Sequence, residues 1–189
     1  ALEKGDGGEI VVWSDINNPS SYTEAKGIFR ARGGLQGGDG GRVETSGYQL
    51  DVTGIDINLE PFLPAYSTGE WLIDPFDIII GSGGWPADHP NRSNPSNPSN
   101  PYQSEDAKSI DVVDIVDALD SANISITTGD LSSRGLQYGD ILISEPLVTN
   151  ANANTLELTA TGEININSDI TRSAGGDLVL NSNTVVGVG

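Results

Sequence analysis

Two aspartates set among glycines are the residues of this chain best suited to bind a metal ion. Asp6 lies in the glycine-rich segment 5–8, and Asp39 lies in a second such segment, 37–41. Repeated glycine–aspartate motifs bind calcium in some β-rolls, but neither segment has that register or repeats in tandem. We therefore favour a role in turns, where glycine supplies positive φ and aspartate caps the backbone. Calcium at Asp6 and Asp39 is the open alternative, and no other cofactor is expected.

Pairs of neighbouring carboxylates are a second possible source of chemistry. Asp74 and Asp77 flank Pro75, and Asp51 lies close to Asp56 in sequence. Enzymes that degrade polysaccharides use such groups as general acid and base, which requires convergent geometry and tuned pKa values. No basic residue is near either pair in the sequence, although a neighbouring strand could supply one. The sequence therefore predicts a protein that is not an enzyme.

The aromatic residues and the single histidine complete the candidate site residues. Trp85 lies between glycines and a proline, so we expect it to be exposed and able to stack on a sugar ring. Trp13 and Trp71 lie in strand-like runs, and we expect both to pack in the core. His89 lies in a polar segment, where an exposed side chain is expected, so a histidine triad or zinc site is not supported.

The composition limits the partners. The chain has 189 residues, with 27 acidic against 9 basic residues and a net charge of −18. Such a surface repels phosphates and anionic lipids, so we expect neither nucleic-acid binding nor membrane insertion. The absence of cysteine excludes disulfides and thiolate metal sites. Methionine is also absent, and we expect the chain to be processed or to be a section of a longer protein.

Short strand-like runs dominate the chain, separated by loops of Gly, Asn, Ser, Thr and Asp. Several open with glycine followed by a charged residue: Gly8-Glu9-Ile10-Val11-Val12-Trp13, Gly41-Arg42-Val43-Glu44-Thr45, Gly139-Asp140-Ile141-Leu142-Ile143, Gly162-Glu163-Ile164-Asn165-Ile166 and Gly176-Asp177-Leu178-Val179-Leu180. Strand starts at 140 and 163 differ by 23 residues, and those at 155 and 177 differ by 22. These offsets fit one turn of a β-solenoid, with a period of about 20–30 residues. We predict an all-β parallel solenoid of about seven or eight rungs.

Two segments interrupt the strand pattern. Residues 86–108 include a tandem Asn-Pro-Ser tract, and proline excludes a sheet position, so we expect an exposed insertion there. Residues 109–120 have a helical period, which predicts a short helix with Ser109 as N-cap, packed on the solenoid. We expect Asp111, Asp114 and Asp117 on its solvated side, and Val112, Val113, Val116 and Leu119 on its apolar side. Rungs then occupy 1–85 and 121–189 of one continuous domain.

Several of these runs resemble a known family. The segments 8–15, 31–47, 71–78 and 123–129 are similar in order and spacing to the repeat region of filamentous haemagglutinin-like proteins. These proteins are large bacterial exoproteins exported by two-partner secretion. The resemblance covers residues 5–185.

The resemblance implies a right-handed parallel β-helix, secreted or displayed at the bacterial cell surface. It implies a role as an adhesin, in the biofilm matrix or in an extracellular filament. The expected partners are further β-helix repeats or copies of the chain stacked head to tail, and a glycan or cell surface. The amino-terminal secretion domain of the family is absent, which indicates an internal or carboxyl-terminal section. The shared motifs are structural, so no catalytic or binding residue carries over.

Two other classes of function stay open. A carbohydrate-binding module on a β-helix would need exposed aromatic residues and polar side chains along one long face, with Trp85 as the contact. A polysaccharide-degrading β-helix enzyme would need an acidic cluster with a basic neighbour in a cleft.

Overall fold

The chain is mostly β, with one short helix. The computed structural model describes residues 3–16, 18, 20–82, 109–129, 139–150, 154–173 and 175–187. The predicted insertion at 86–108, with His89, and Trp85 lie outside the described residues. The strands are β1 (Glu9–Trp13), β2 (Tyr22–Glu24), β3 (Gly27–Arg30), β4 (Arg42–Gly47), β5 (Gln49–Asp51), β6 (Ile55–Asn58), β7 (Glu70–Pro75), β8 (Ile78–Ile80), β9 (Ser109–Ile110), β10 (Asn123–Thr127), β11 (Ile141–Ile143), β12 (Leu147–Thr149), β13 (Leu156–Thr159), β14 (Glu163–Ile166), β15 (Ile170–Arg172), β16 (Leu178–Asn181) and β17 (Thr184–Gly187), and the helix α1 spans Val112–Leu119.

All strand pairs of the described residues are parallel, and neighbours in a sheet are distant in sequence. The longest sheet, here called the long sheet, has the order β1-β4-β7-β10-β13-β16. A second sheet has the order β17-β14-β11-β8-β9, and three two-stranded sheets pair β2 with β5, β3 with β6 and β12 with β15. The chain thus leaves the long sheet, passes through other sheets and returns one strand further on. We call each such circuit a pass.

The strand register confirms the predicted spacing near the carboxyl end. Ile141 pairs with Ile164, 23 residues later, and Leu156 pairs with Leu178, 22 residues later. Elsewhere the circuits are longer, since Glu9 pairs with Arg42. The long sheet contains six strands, so the described residues complete five passes and begin a sixth, fewer than the seven or eight predicted.

The helix lies within the stack and packs against β6, β10 and β12. The Leu119 carbonyl at the end of the helix accepts a hydrogen bond from the Asn154 amide at 2.8 Å. Just after the helix, the Ser121 carbonyl accepts from the Leu59 amide at 3.1 Å. The helix therefore fills the third side of one pass, between β6 below and β12 above.

Two details of the helix prediction are wrong. Ser109 belongs to β9, and the N-cap is Asp111, whose side chain accepts from the Val113 amide at 3.0 Å. With that start, Val113 falls on the outer side of the helix and is 59% exposed. The buried helix residues are Ile115, Ala118 and Leu119.

The core is a column of branched aliphatic side chains that runs the length of the stack. Successive strands of the long sheet contribute inward pairs such as Trp71 and Ile73, then Ile124 and Ile126, all at most 1% exposed. The second sheet contributes buried Ile78, Ile141 and Ile164 in one register row. Because each row packs on the row below, core volume grows with the number of passes and not with width.

Glycines occupy the corner that leads into the long sheet because backbones meet there. A Cβ at Gly40 would lie 1.7 Å from the Leu59 carbonyl oxygen, and one at Gly41 would lie 2.1 Å from the Gly8 carbonyl oxygen. A different glycine sets the bend between β5 and β6, where Gly54 has φ +75°. The parity of the inward residues reverses at this glycine, since Leu50 and Val52 are buried before it and Ile55 and Ile57 after it.

In the part of the chain that the structure describes, no helix is long and apolar enough to cross a membrane.

Candidate functional site

Asp6 and Asp39 cap the backbone of the next pass. Asp6 Oδ1 accepts a hydrogen bond from the Asp39 amide at 2.9 Å, and Asp39 Oδ1 accepts from the Ser67 amide at 2.8 Å. The carboxylates therefore form a ladder that climbs from one glycine-rich corner to the next. This role resembles the turn-capping interpretation, except that each aspartate caps the neighbouring pass and not its own turn.

The same device recurs at two other corners. Asp77 Oδ1 accepts from the Asp140 amide at 2.8 Å, and Asp140 Oδ1 accepts from the Glu163 amide at 2.7 Å. At the entrance to β13, Asn123 Oδ1 accepts from the Thr155 amide at 3.1 Å. Asp77 and Asp140 are 6% and 1% exposed, so these bonds also satisfy buried acceptors. Short acceptor side chains at corners thus fix the register between passes.

Metal ligands do not converge in the part of the chain that the structure describes. No group of three or more His, Cys, Asp or Glu residues there is arranged to hold a metal ion. Asp6 and Asp39 each keep one carboxylate oxygen outside the ladder bonds described above, and calcium at these residues stays a prediction.

Substitution of Asp39 separates the cap from a calcium site. We expect Asp39→Ala to lower the free energy of unfolding by about 1–2 kcal/mol, because the Ser67 amide loses its acceptor. Asp39→Asn keeps an acceptor oxygen and should cost less than about 0.5 kcal/mol. The measurement is urea denaturation with and without calcium. A calcium-dependent rise in stability that Asp39→Asn abolishes would contradict the cap as the whole role.

The outward face of the long sheet carries three straight rows of side chains. We name the rows by their position along the strands. The outer row, at the strand starts, begins with Glu9, Arg42, Glu70 and Asn123; the middle row is Val11, Glu44, Leu72, Ser125, Glu157 and Val179; the inner row, at the strand ends, is Trp13, Ser46, Asp74, Thr127, Thr159 and Asn181. Every second residue of these strands points outward, because successive side chains of a strand alternate between faces.

Arg42 lies at the centre of an ion-pair cluster on this face. Its Nη1 lies 2.8 Å from Glu9 Oε1 and 2.8 Å from Glu44 Oε2, and its Nε lies 3.8 Å from Glu70 Oε2. The hydrogen bond with Glu9 is the main cause of the raised pKa of Arg42, and Glu44 adds to it. Three passes contribute to this cluster, so it joins β1, β4 and β7.

The surroundings of Asp74 on this face shift its pKa. Burial raises the pKa of Asp74 above its ordinary value, a hydrogen bond with Thr127 lowers it, and the charge of Glu44 raises it further. Asp77 is not its partner, since Asp77 is buried in the capping ladder. The sequence-adjacent pair is therefore divided between the outward face and the interior.

Asp51 and Asp56 likewise do not form an acid–base pair. Asp51 accepts from the Thr53 amide at 3.0 Å and lies 3.2 Å from Lys26 Nζ. Asp56 instead lies 4.0 Å from Arg30 Nη2. Burial by itself would raise the pKa of Asp51, but the Thr53 and Lys26 interactions outweigh burial and lower it to about 2.

These opposite pKa shifts predict opposite pH profiles for two amide variants. The folded protein binds the Asp74 proton more tightly than the unfolded chain, so Asp74 destabilises the fold at neutral pH and this penalty disappears on acidification. We expect Asp74→Asn to raise the free energy of unfolding at neutral pH, and to have no advantage below about pH 4.

The matched variant is Asp51→Asn. The Asp51 carboxylate stabilises the fold above its unfolded pKa of about 3.9, and that stability is lost as the pH falls through its folded pKa of about 2. Asp51→Asn should therefore destabilise the protein at neutral pH, with a difference that shrinks at low pH. Urea titrations across this pH range test both, and a neutral-pH loss of stability in Asp74→Asn would contradict the assignment.

Trp13 is exposed, which corrects the expectation that it packs in the core. It is 68% exposed at the end of the inner row, and Val11 beside it is 45% exposed. Trp71 is fully buried as predicted and donates from Nε1 to Thr45 Oγ1 at 3.1 Å. The alternation of β1 contained the signal: Trp13 has the parity of Glu9, whereas Ile10 and Val12 face inward.

A second exposed apolar feature lies away from the long sheet. Residues 62–66 are all exposed, including Phe62 at 48% and Tyr66 at 38%. The Arg32 guanidinium carbon lies 4.8 Å from the centre of the Phe62 ring. The glycine at 37 leaves room for Tyr66, because a Cβ there would lie 2.3 Å from its hydroxyl oxygen.

Sequence comparison with known families and curated proteins gives no match. No model of a known protein family matches this chain, and no curated protein is significantly similar to it in sequence.

Proposed function

We propose that this chain is a section of a secreted, filamentous haemagglutinin-like bacterial surface protein that builds a rod for adhesion or for an extracellular matrix. The chain would wind as a right-handed parallel β-helix, each pass forming one rung. Right-handed crossovers are the rule for parallel strands that return to one sheet. The observation that carries the proposal is the parallel pairing of β1, β4, β7, β10, β13 and β16, each with the strand of the next circuit.

One copy is short for a rod, so the function requires more rungs. Six strands spaced by about 4.8 Å give a stack roughly 25 Å tall. Both ends of the described stack leave inward side chains incompletely covered: Ile10, Val12 and Phe29 at one end are only partly buried, and Val185 at the other is 47% exposed. Open strand edges favour addition of further strands.

The two ends also match in pattern. Stacking β1 of one unit on β16 of another would place Ile10 and Val12 on Leu178 and Leu180, apolar on apolar. The flanking glycines, Gly8 and Gly176, would meet as glycines meet at the corners within the stack. Further repeats, or copies of the chain head to tail, are therefore the partners that these ends fit.

A tandem fusion of two copies through a short Gly-Ser linker tests this function. If the ends stack, the fusion unfolds at a higher denaturant concentration than one copy, and its length in X-ray scattering nearly doubles at constant cross-section. The control carries Leu178→Asp and Leu180→Asp in the first copy, at the junction, and should behave as two independent units. Independent behaviour of the unmodified fusion would contradict the rod proposal.

The polysaccharide-degrading alternative gains little support. Asp74, Glu44 and Arg42 share the outward face, but Arg42 is held by three carboxylates and Asp77 is withdrawn into the core. The carbohydrate-binding alternative has a specific observation in its favour, the exposed Trp13 on a long polar face.

A further inference from the structure

We propose that the outward face of the long sheet binds a linear polysaccharide whose sugars carry free amino groups, with Trp13 as its aromatic platform. This is a binding function separate from rod formation, and it does not require further rungs.

The geometry of the face suits a linear polymer. Its side chains stand in three rows that run along the stack, so a chain lying across the strands meets an equivalent position once in every ~4.8 Å. The inner row offers hydroxyl and amide groups at Thr127, Thr159 and Asn181. Asn181 Nδ2 donates to Glu157 Oε1 at 2.9 Å, which links the inner and middle rows. Such side chains exchange hydrogen bonds with sugar hydroxyls without needing to be buried.

The charge of the face selects the class of polymer. The strand residues that face outward include five carboxylates and one cation: Glu9, Glu44, Glu70, Asp74 and Glu157 against Arg42. Arg42 is already paired with Glu9, Glu44 and Glu70, so the surplus on the face is negative. Uronic-acid and sulfated polymers are repelled by such a surface, whereas polymers with ammonium groups are attracted.

Three basic residues, Lys26, Arg30 and Arg32, lie outside the long sheet and are paired there. Lys26 pairs with Glu24 and Asp51, Arg30 lies 4.0 Å from Asp56, and Arg32 lies 3.8 Å from Glu60. These pairs balance charge away from the long sheet. In the part of the chain that the structure describes, the outward face of that sheet combines a surplus of carboxylates with an exposed indole.

Trp13 supplies the contact that carboxylates alone lack. An exposed indole packs against the apolar face of a sugar ring and also attracts a nearby ammonium group. The side chain stands in the same row as Asp74, two strands away through Ser46. A polymer with one sugar on the indole would pass over Ser46, which is only 5% exposed, to reach Asp74 and Thr127.

The test is depletion binding of the full chain to beads of a cross-linked β-1,4-linked polymer of glucosamine, at mildly acidic pH and moderate ionic strength. The matched polymers are its N-acetylated form, which is neutral, and polygalacturonate, which is anionic. We expect binding to the amino polymer only. Trp13→Ala should weaken that binding by about tenfold or more, as loss of a central aromatic contact does.

Two triple variants separate a site from general attraction. Glu44→Gln, Asp74→Asn and Glu157→Gln reduce the surplus of carboxylates on the face from four to one, and should weaken binding by about tenfold or more. Glu24→Gln, Asp56→Asn and Glu60→Gln remove the same charge away from the long sheet, and Phe62→Ala removes an exposed ring elsewhere; these should leave binding within about twofold. Circular dichroism confirms that each variant is folded. Equal losses in the two triple variants, equal binding of the N-acetylated polymer, or no binding at all would overturn the proposal.

Discussion

Trp71→Ala is expected to lower the free energy of unfolding by about 3–5 kcal/mol, the usual range when a buried large aromatic residue is truncated. The indole of Trp71 is fully buried between the strands β4 and β10, and its Nε1 donates to Thr45 Oγ1. Truncation leaves a cavity in the middle of the stack and an unpaired buried hydroxyl at Thr45, which adds to the cost. A domain of ordinary stability, about 5–15 kcal/mol, would be left marginal.

The matched control is Trp13→Ala, the same substitution at an exposed indole. Because Trp13 is 68% exposed, its truncation should change stability by no more than about 0.5 kcal/mol. Urea denaturation followed by far-ultraviolet circular dichroism measures both variants. Similar losses in the two variants would contradict the inward and outward assignments of the long sheet.

Gly40→Ala is expected to be the most damaging change that adds a single methyl group. Its Cβ would lie 1.7 Å from the Leu59 carbonyl oxygen and 2.4 Å from the Gly69 amide nitrogen. Both atoms belong to the backbone of the next pass, and Gly69 donates to Leu59 at 2.9 Å, so neither can move without breaking that bond. Overpacking in a core costs about 1–3 kcal/mol, and here we expect at least the upper part of that range.

Gly8→Ala provides the control, since nothing lies within 4 Å of a Cβ at Gly8. Alanine there should be neutral or slightly stabilising, by up to about 1 kcal/mol, because it restricts the unfolded chain. Hydrogen exchange should show that Gly40→Ala loosens β4 and β7 first. An equal stability of the two variants would show that the passes do not approach as closely as described.

Local pattern in the sequence predicts the strands that face the core with regular alternation. β6, β10 and β13 each follow the expected order of inward apolar and outward polar residues. The spacing of 22 and 23 residues is also visible from sequence, because the later passes carry no inserted segment. The bend at Gly54 follows from a reversal of parity that only a positive-φ glycine resolves easily.

Other elements are hidden because their pattern is too short or too irregular. The strands β2, β12 and β15 have three residues each, which is less than two periods of alternation. The early circuits are longer and unequal, so the ion pairs between Arg42, Glu9 and Glu70 cannot be inferred from spacing. The place of Trp13 in a strand-like run predicts burial, but the parity of a residue decides which face of the strand it occupies.

The corner ladders illustrate the same limit. Asp6 and Asp39 were identified from their glycine-rich surroundings, yet Asp77, Asp140 and Asn123 perform the same capping without such surroundings. Their role depends on the amide that the next pass presents, and this is a property of stacking and not of local sequence.

The central claim, that the chain stacks as parallel passes in register, is tested most directly by cysteine cross-linking in this cysteine-free chain. Glu157 and Val179 are neighbours in the middle row, with Cα atoms about 4.8 Å apart, within the range of about 4.4–6.8 Å that a disulfide spans. The pair Glu157→Cys and Val179→Cys should cross-link on mild oxidation. The pair Ser125→Cys and Val179→Cys, two strands apart, should stay reduced. Cross-linking of the second pair, or free thiols in the first that still react with a thiol reagent, would contradict the account.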